Sequence, residues 1–197
     1  MTHTDEITEI KDRIVITFVE NAVFDGLDWY AVLLATEQAG YQKEMAVAVF
    51  PEKLEAVMVH FSDMTDRQML KALAEVDTED MRIRDRITLA VQKRLEILAP
   101  HKEAVKLMTV YWNVPPRQFL ASRLVWRTAD HIWNWAGDTS KDYNFYTKRG
   151  LLSAVLTSTM IAWMGEEGDD LEIPFAFLDR RIENVMQFGK ILGKIKK

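Results

Sequence analysis

The chain has 197 residues, of which 48% are hydrophobic and 28% charged, with a formal net charge of −5. A chain of this length buries roughly 70% of its unfolded surface, so the composition excludes a disordered tract, and its acidity excludes any global pull on nucleic acid. There is no cysteine, which removes disulfides, thiolate metal sites and thiol nucleophiles together, and no apolar run reaches the ~20 residues that span a bilayer.

Helical periodicity runs nearly throughout, with few alternating segments and no hairpin dipeptide. The expected class is all-α with about nine helices. The first is expected over about 5–23, with Ile7, Ile10, Ile14 and Phe18 inward, ending near Gly26. The next two span 28–38 and 42–49, broken by Ala39-Gly40 and closed by Phe50-Pro51. A fourth runs from 52 to 61 and on toward 73. Asp77 and Thr78 read as an N-cap for a fifth helix over 79–98. Pro100 ends it, and a sixth follows over 102–112.

Pro115-Pro116 opens a seventh helix reaching Ala136, with Gly137 as its C-cap. Thr139 to Asp142 has capping-box spacing for the eighth, which runs to Met164. Pro174 sits in the first turn of the ninth. The division expected from these breaks is 1–75, an N-terminal part, and 76–197, a helical ligand-binding and dimerisation part. Ala154, Ser158 and Ala162 recur at i, i+4, i+8, a small-residue stripe that suits a homodimer contact.

The three short N-terminal helices resemble the helix-turn-helix head of the TetR regulator fold, on the Gly after helix one, the Ala-Gly turn and the Phe-Pro near helix three. The chemistry is wrong for DNA. Between Asp25 and His60 two bases, Lys43 and Lys53, face six acids. A reading helix needs cations for phosphates and polar forks for base edges, and 42–49 carries Met45, Ala46, Val47, Ala48 and Val49. The head is expected to be degenerate, with no nucleic-acid partner.

Searching for chemistry returns little. None of His3, His60, His101 and His131 lies in a metal-ligand spacing, and no phosphate loop or nucleophile elbow occurs. His131 reads as a capping or surface residue, and Asp138 and Asp142 as caps. No enzyme activity, cofactor or metal is expected. Ten Met and six Trp are many for this length, and Met suits adaptable apolar pockets. Candidates to line a lipid site are Ile87, Val91, Met108, Trp112, Leu120, Leu124, Leu152, Val155, Leu156 and Met160.

Around the corner at Gly137, five aromatics crowd among charged residues: Trp133, Trp135, Tyr143, Phe145 and Tyr146. That is the composition of a protein-protein hot spot. At the C-terminus, Phe188, Ile191, Leu192 and Ile195 fall on one side of a helix and Lys190, Lys194 and Lys197 on the other. Such a segment suits a membrane interface, apolar toward acyl chains and cationic toward anionic head groups.

The run Ala136-Gly137-Asp138-Thr139-Ser140, continuing through Asp142, Asn144, Tyr146, Thr147, Lys148 and Arg149, closely resembles the lipid-binding accessory family of ubiquinone (coenzyme Q) biosynthesis. Phe177-Leu178-Asp179-Arg180-Arg181-Ile182 and Arg84-Asp85-Arg86-Ile87 add to the likeness, which is strongest over about 80–186. The resemblance implies a TetR-like fold, no enzyme activity, binding of isoprenoid quinones and a di-iron demethoxyubiquinone hydroxylase as partner. Carried over by position, the partner surface is Asp130, Trp133, Phe145, Tyr146 and Arg149, with Phe145 standing where the family commonly has Trp. The polar N-terminus suggests a bacterial protein, in the cytoplasm and peripheral to the inner face of the membrane. The alternative is a TetR-type ligand-responsive transcriptional regulator.

Overall fold

The structure is a computed structural model that describes residues 3–168 and 170–195, with side chains from 4 to 187. Among the described residues there are nine α-helices: α1 (His3–Asp25), α2 (Trp29–Gln38), α3 (Lys43–Val49), α4 (Leu54–Ala74), α5 (Ile83–Leu98), α6 (Lys102–Trp112), α7 (Arg117–Trp135), α8 (Tyr143–Gly165) and α9 (Glu172–Ile195). The all-α expectation holds, and α6 has the expected bounds.

The chain forms two compact units, 1–67 with 100–120, and 68–99 with 121–197. The expected division near residue 75 falls in the link between α4 and α5. Helices α4 and α7 each give their first part to the first unit and the remainder to the second.

In the first unit α1 packs against α2, α3 and α6. Ile14, Val15, Phe18, Val19 and Ala22 are the buried side of α1, an i, i+4, i+8 stripe that must meet apolar partners to form a stable helix. Asp28 caps α2, accepting from the Ala31 N–H at 2.9 Å. Gly40 (φ +88°) turns α2 into α3 in the left-handed region that suits glycine. The same unit contains an ion network: Asp12 takes both Arg67 guanidinium nitrogens, at 2.6 and 2.9 Å, and His60 Nε2 at 2.6 Å. Burial pushes the His60 ring below its ordinary value, against the pull of Asp12.

In the second unit α9 packs against α8 and α5. Its core joins Met69 and Leu73 of α4, Ile87, Ala90 and Val91 of α5, Ala129 and Ile132 of α7, Leu152, Val155 and Leu156 of α8, and Leu178 and Ile182 of α9. These positions repeat at three and four residues along each helix, which is why the elements form and why they face inward.

Three boundaries differ from the sequence reading. Helix α5 starts at Ile83, because Asp77 bonds the Glu79 N–H at 3.0 Å as a local turn and does not open a helix. The N-cap of α8 is Asp142, whose side chain accepts from the Asn144 N–H at 2.9 Å; Thr139 lies outside the helix. The C-terminal segment is continuous with α9 in backbone as far as Ile195. The side chains of Phe188, Lys190, Ile191, Leu192, Lys194 and Ile195, and Lys197 entirely, lie outside the described residues.

Trp163 is fully buried in α8. Trp163→Ala should therefore remove about 3–5 kcal/mol of stability, read as a lower urea midpoint. A loss under about 1 kcal/mol would mean that the ring is not core.

Candidate functional site

The site begins with a helix end. At the close of α7 the Asp138 N–H bonds Trp133 O at 2.9 Å and the Gly137 N–H bonds Asn134 O at 3.1 Å. This is the paired closure that a left-handed residue permits, and Gly137 stands at φ +91°. Arg86 holds the corner from α5: its guanidinium donates to Ala136 O at 3.3 Å, Thr78 O at 2.6 Å and Met81 O at 3.1 Å. The expected C-cap is therefore present, with an arginine clasp that the sequence did not announce.

Beyond the corner the chain runs to α8, and α8 returns Lys148 and Arg149 to it. Arg149 is 1% exposed. It donates to Asp130 at 2.5 Å, to Asp138 at 2.9 Å and to Asn134 Oδ1 at 3.2 Å. The Phe145 ring covers its guanidinium, 3.5 Å from centroid to Cζ, a cation–π contact strengthened by exclusion of water. Asp138 also takes Lys148 Nζ at 2.7 Å and Ser140 Oγ at 2.8 Å. Lys148 in turn lies over the Trp133 ring at 5.3 Å, and Trp133 donates its indole N–H to Lys148 O at 3.0 Å. Two acids and two bases thus share one junction between α7 and α8, dry at Arg149 and Asp138 and open to water at Asp130 and Lys148.

Burial opposes charge on Asp138, but hydrogen bonds from Lys148, Ser140 and Arg149 outweigh it and hold the carboxyl well below the usual range. This is more than the capping role expected for it. The rings form an outer layer: Tyr146 stacks edge-on to Phe145 at 5.2 Å and approaches Trp126 at 6.4 Å. Tyr146 is 63% exposed and Tyr143 74%.

The five expected partner residues are therefore brought together, in two roles. Tyr146 is open. Asp130, Trp133 and Phe145 are half-buried. Arg149 is a correction: it cannot be presented to a partner, because it is buried and its guanidinium is engaged by Asp130, Asp138, Asn134 and the Phe145 carbonyl. Asp138, Lys148, Ser140, Asn134 and Arg86 were missed. The available signal was their dense spacing with Arg149, but helix periodicity relates neighbours three or four apart, not residues ten to nineteen apart across a corner. His131 is half-buried, and its Nδ1 has no hydrogen-bond partner, so that atom caps nothing.

The expected lipid-site residues divide. Ile87, Val91, Leu152, Val155 and Leu156 join the second unit's core, and Leu124 and Met160 lie half-buried in that unit. Met108, Trp112 and Leu120 belong to the first unit. Their apolar period was read correctly, but period along one helix does not say which neighbouring helix it meets.

The COQ9 family model matches residues 119–189, the stretch that contains the Arg149 network. The chain is similar to the COQ9 family. It is 27% identical to the mitochondrial ubiquinone biosynthesis protein COQ9 of Rattus norvegicus, over 95% of this chain and 62% of that protein. For the human protein of the same name the figures are 25%, 95% and 61%, and for COQ9-B of Xenopus laevis 30%, 54% and 36%. The chain thus spans about three fifths of the length of the mammalian COQ9 proteins. The structure resembles the crystal structure of a TetR transcriptional regulator from Nitrosomonas europaea, at a TM-score of 0.71 and 21% identity, over 89% of this chain and 97% of the other. The expected TetR-like fold is therefore present.

The COQ9 relatives are named as mitochondrial. This overturns the bacterial-cytoplasm expectation, which rested on the composition of the first ten residues and on no feature of the fold.

A carboxyl with a depressed folded value adds stability that is full above its unfolded value, near 3.8, and is lost as pH falls through the folded one. Asp138→Asn should cost about 3 kcal/mol at neutral pH, the low end for a broken buried pair because Asp130 still faces Arg149. In urea melts the gap to wild type should narrow below pH 3.8. A gap of the same size at pH 7 and pH 3 would remove Asp138 from this role.

Proposed function

We propose that this chain is a lipid-binding accessory protein of ubiquinone biosynthesis. It holds an isoprenoid quinone intermediate at a membrane surface, in the helical second unit, and presents the ring to a di-iron demethoxyubiquinone hydroxylase docked at the aromatic corner. It acts as a homodimer, does no chemistry of its own and binds no nucleic acid.

One observation carries the reading. The segment matched by the COQ9 family model contains both the buried Arg149 network and its exposed rings. Tyr143 and Tyr146 stand open beside a charge junction that is already satisfied internally. Rigid aromatics at low conformational cost are what an interface centre uses, and a guanidinium buried between its own carboxylates favours scaffolding over catalysis. The relatives carry ubiquinone biosynthesis in their names. The apolar residues of α5 and α8 support the lipid part, and the lysine-tipped C-terminal sequence supports the membrane part.

The energetics suit presentation over extraction. Moving an isoprenoid tail from water into protein gains about 25 cal/mol per Å2, but moving it from bilayer gains almost nothing, because acyl chains are as apolar as leucine. A carrier of this kind works by orienting the ring at the interface.

Tyr146→Ala should weaken capture of the hydroxylase about tenfold or more, the scale of an exposed aromatic anchor, with helical content unchanged by circular dichroism. Undiminished capture would take Tyr146 off the surface. Native mass spectrometry of gently purified protein should show an isoprenoid quinone mass; protein that stays empty when offered quinone in vesicles would end the lipid part.

A further inference from the structure

Within the first unit, the turn between α6 and α7 has an apolar outer face that its own unit does not cover. Helix α6 buries Ala104, Val105 and Met108 on one side. Its other side carries Leu107 and Val110, the latter 70% exposed. Val114 follows in the turn and Phe119 in the first turn of α7, 72% exposed. Leu107, Val110 and Val114 fall at i, i+3 and i+7, one face of a helix continued into its turn.

The turn is built firmly. Arg117 stacks its guanidinium on Tyr111 at 3.8 Å and donates to Tyr111 O at 3.4 Å. Gln118 reaches back to Asn113 O at 3.0 Å. The start of α7 is therefore tied onto the end of α6, which holds the apolar side chains on a fixed knuckle.

Along the chain the turn is cationic, although Glu55 of α4 acts on Tyr111 from within the same unit. Between Glu103 and Leu120, within this unit, the sequence contains Lys106 and Arg117 and no acid, in a chain whose net charge is −5. Glu103, at the far end of the α6 stripe, is paired to Lys106 at 2.7 Å. Open aliphatic and aromatic side chains, an arginine stacked on a tyrosine, and two local cations form the pattern of an element that sits in the head-group layer.

We propose that the α6–α7 knuckle is a membrane contact that inserts Val110, Val114 and Phe119 into the interface of an anionic bilayer, with Arg117 at head-group level. It lies about seventy residues before the lysine-tipped C-terminal segment and does not rest on the quinone or hydroxylase reading. Charge complementarity selects the occupant. An acidic protein partner would meet the same cations but does not require three aliphatic or aromatic side chains on a turn.

The natural absence of cysteine makes the test direct. The full chain carrying Val114→Cys, labelled with an environment-sensitive nitrobenzoxadiazole dye, is mixed with vesicles of phosphatidylcholine containing phosphatidylglycerol. A control label is placed at exposed Glu52. The expected result is a blue-shifted, brighter signal at Val114 with anionic vesicles, little change with pure phosphatidylcholine, and none at Glu52.

In unlabelled protein, the paired change Val110→Ser with Phe119→Ser should weaken vesicle co-sedimentation about tenfold, and Arg117→Gln about fivefold, near the effect of one cation at an anionic surface. All three positions are at least partly open, so folding is checked simply by an unchanged melt. Vesicle binding that leaves the Val114 label in water would assign membrane attachment to another segment and overturn the proposal. So would binding unchanged in the paired variant, failure of the protein to bind vesicles at all, or a Val114 signal that rises with protein concentration without lipid, which marks a second copy as the occupant.

Discussion

The second unit's aromatic corner depends on one buried cation. Arg149 lies between Asp130 and Asp138, under the Phe145 ring, where a lone guanidinium would be very costly. It persists because its fork meets two carboxylates and an amide oxygen together. The Phe145 ring rests on the guanidinium beneath it, and Tyr146 leans in turn on Phe145 and Trp126. A lysine in place of Arg149 would keep the charge but not the fork.

The helices were largely legible in the sequence because their signals are local. Apolar spacing, the Ala-Gly break and Pro100 place most elements within a few residues. Local signals failed where two residues could perform the same task. Thr139 and Asp142 both suit an N-cap; Asp142 takes the role, because α8 begins at Tyr143 and the Asp142 carboxylate reaches the Asn144 N–H. Asp77 had the composition of a cap but closes a small turn of its own. The Arg149 junction was seen as a crowd of suggestive residues without its wiring, since Asp130, Asp138 and Arg149 meet only through the fold. Counting Arg149 as a docking residue followed from carrying it over by position from the resemblance, which does not say how deep a side chain lies.

The first unit shows how far shape can travel without chemistry. Helices α1 to α3 have the arrangement of a DNA-reading head, and the similarity to a TetR regulator is one of fold. Two of its cations are engaged nearby: Lys43 with Glu37 at 3.1 Å and Lys11 over the Phe50 ring at 5.6 Å. On α3, Glu44 and Val47 are exposed where a DNA reader needs donors. A fold built to turn three helices around a small core keeps that ability whatever its outer face carries.

Arg86 differs from the other charged groups of the corner in what it grips. Its guanidinium donates to peptide carbonyls, those of Thr78, Met81 and Ala136. Carbonyls gain no proton on acidification, and the arginine loses none in the working range of a protein. The two sides of the corner at Gly137 thus differ in kind: one is held by carboxylates, which acid can in principle protonate, and the other by carbonyls, which offer acid nothing to titrate.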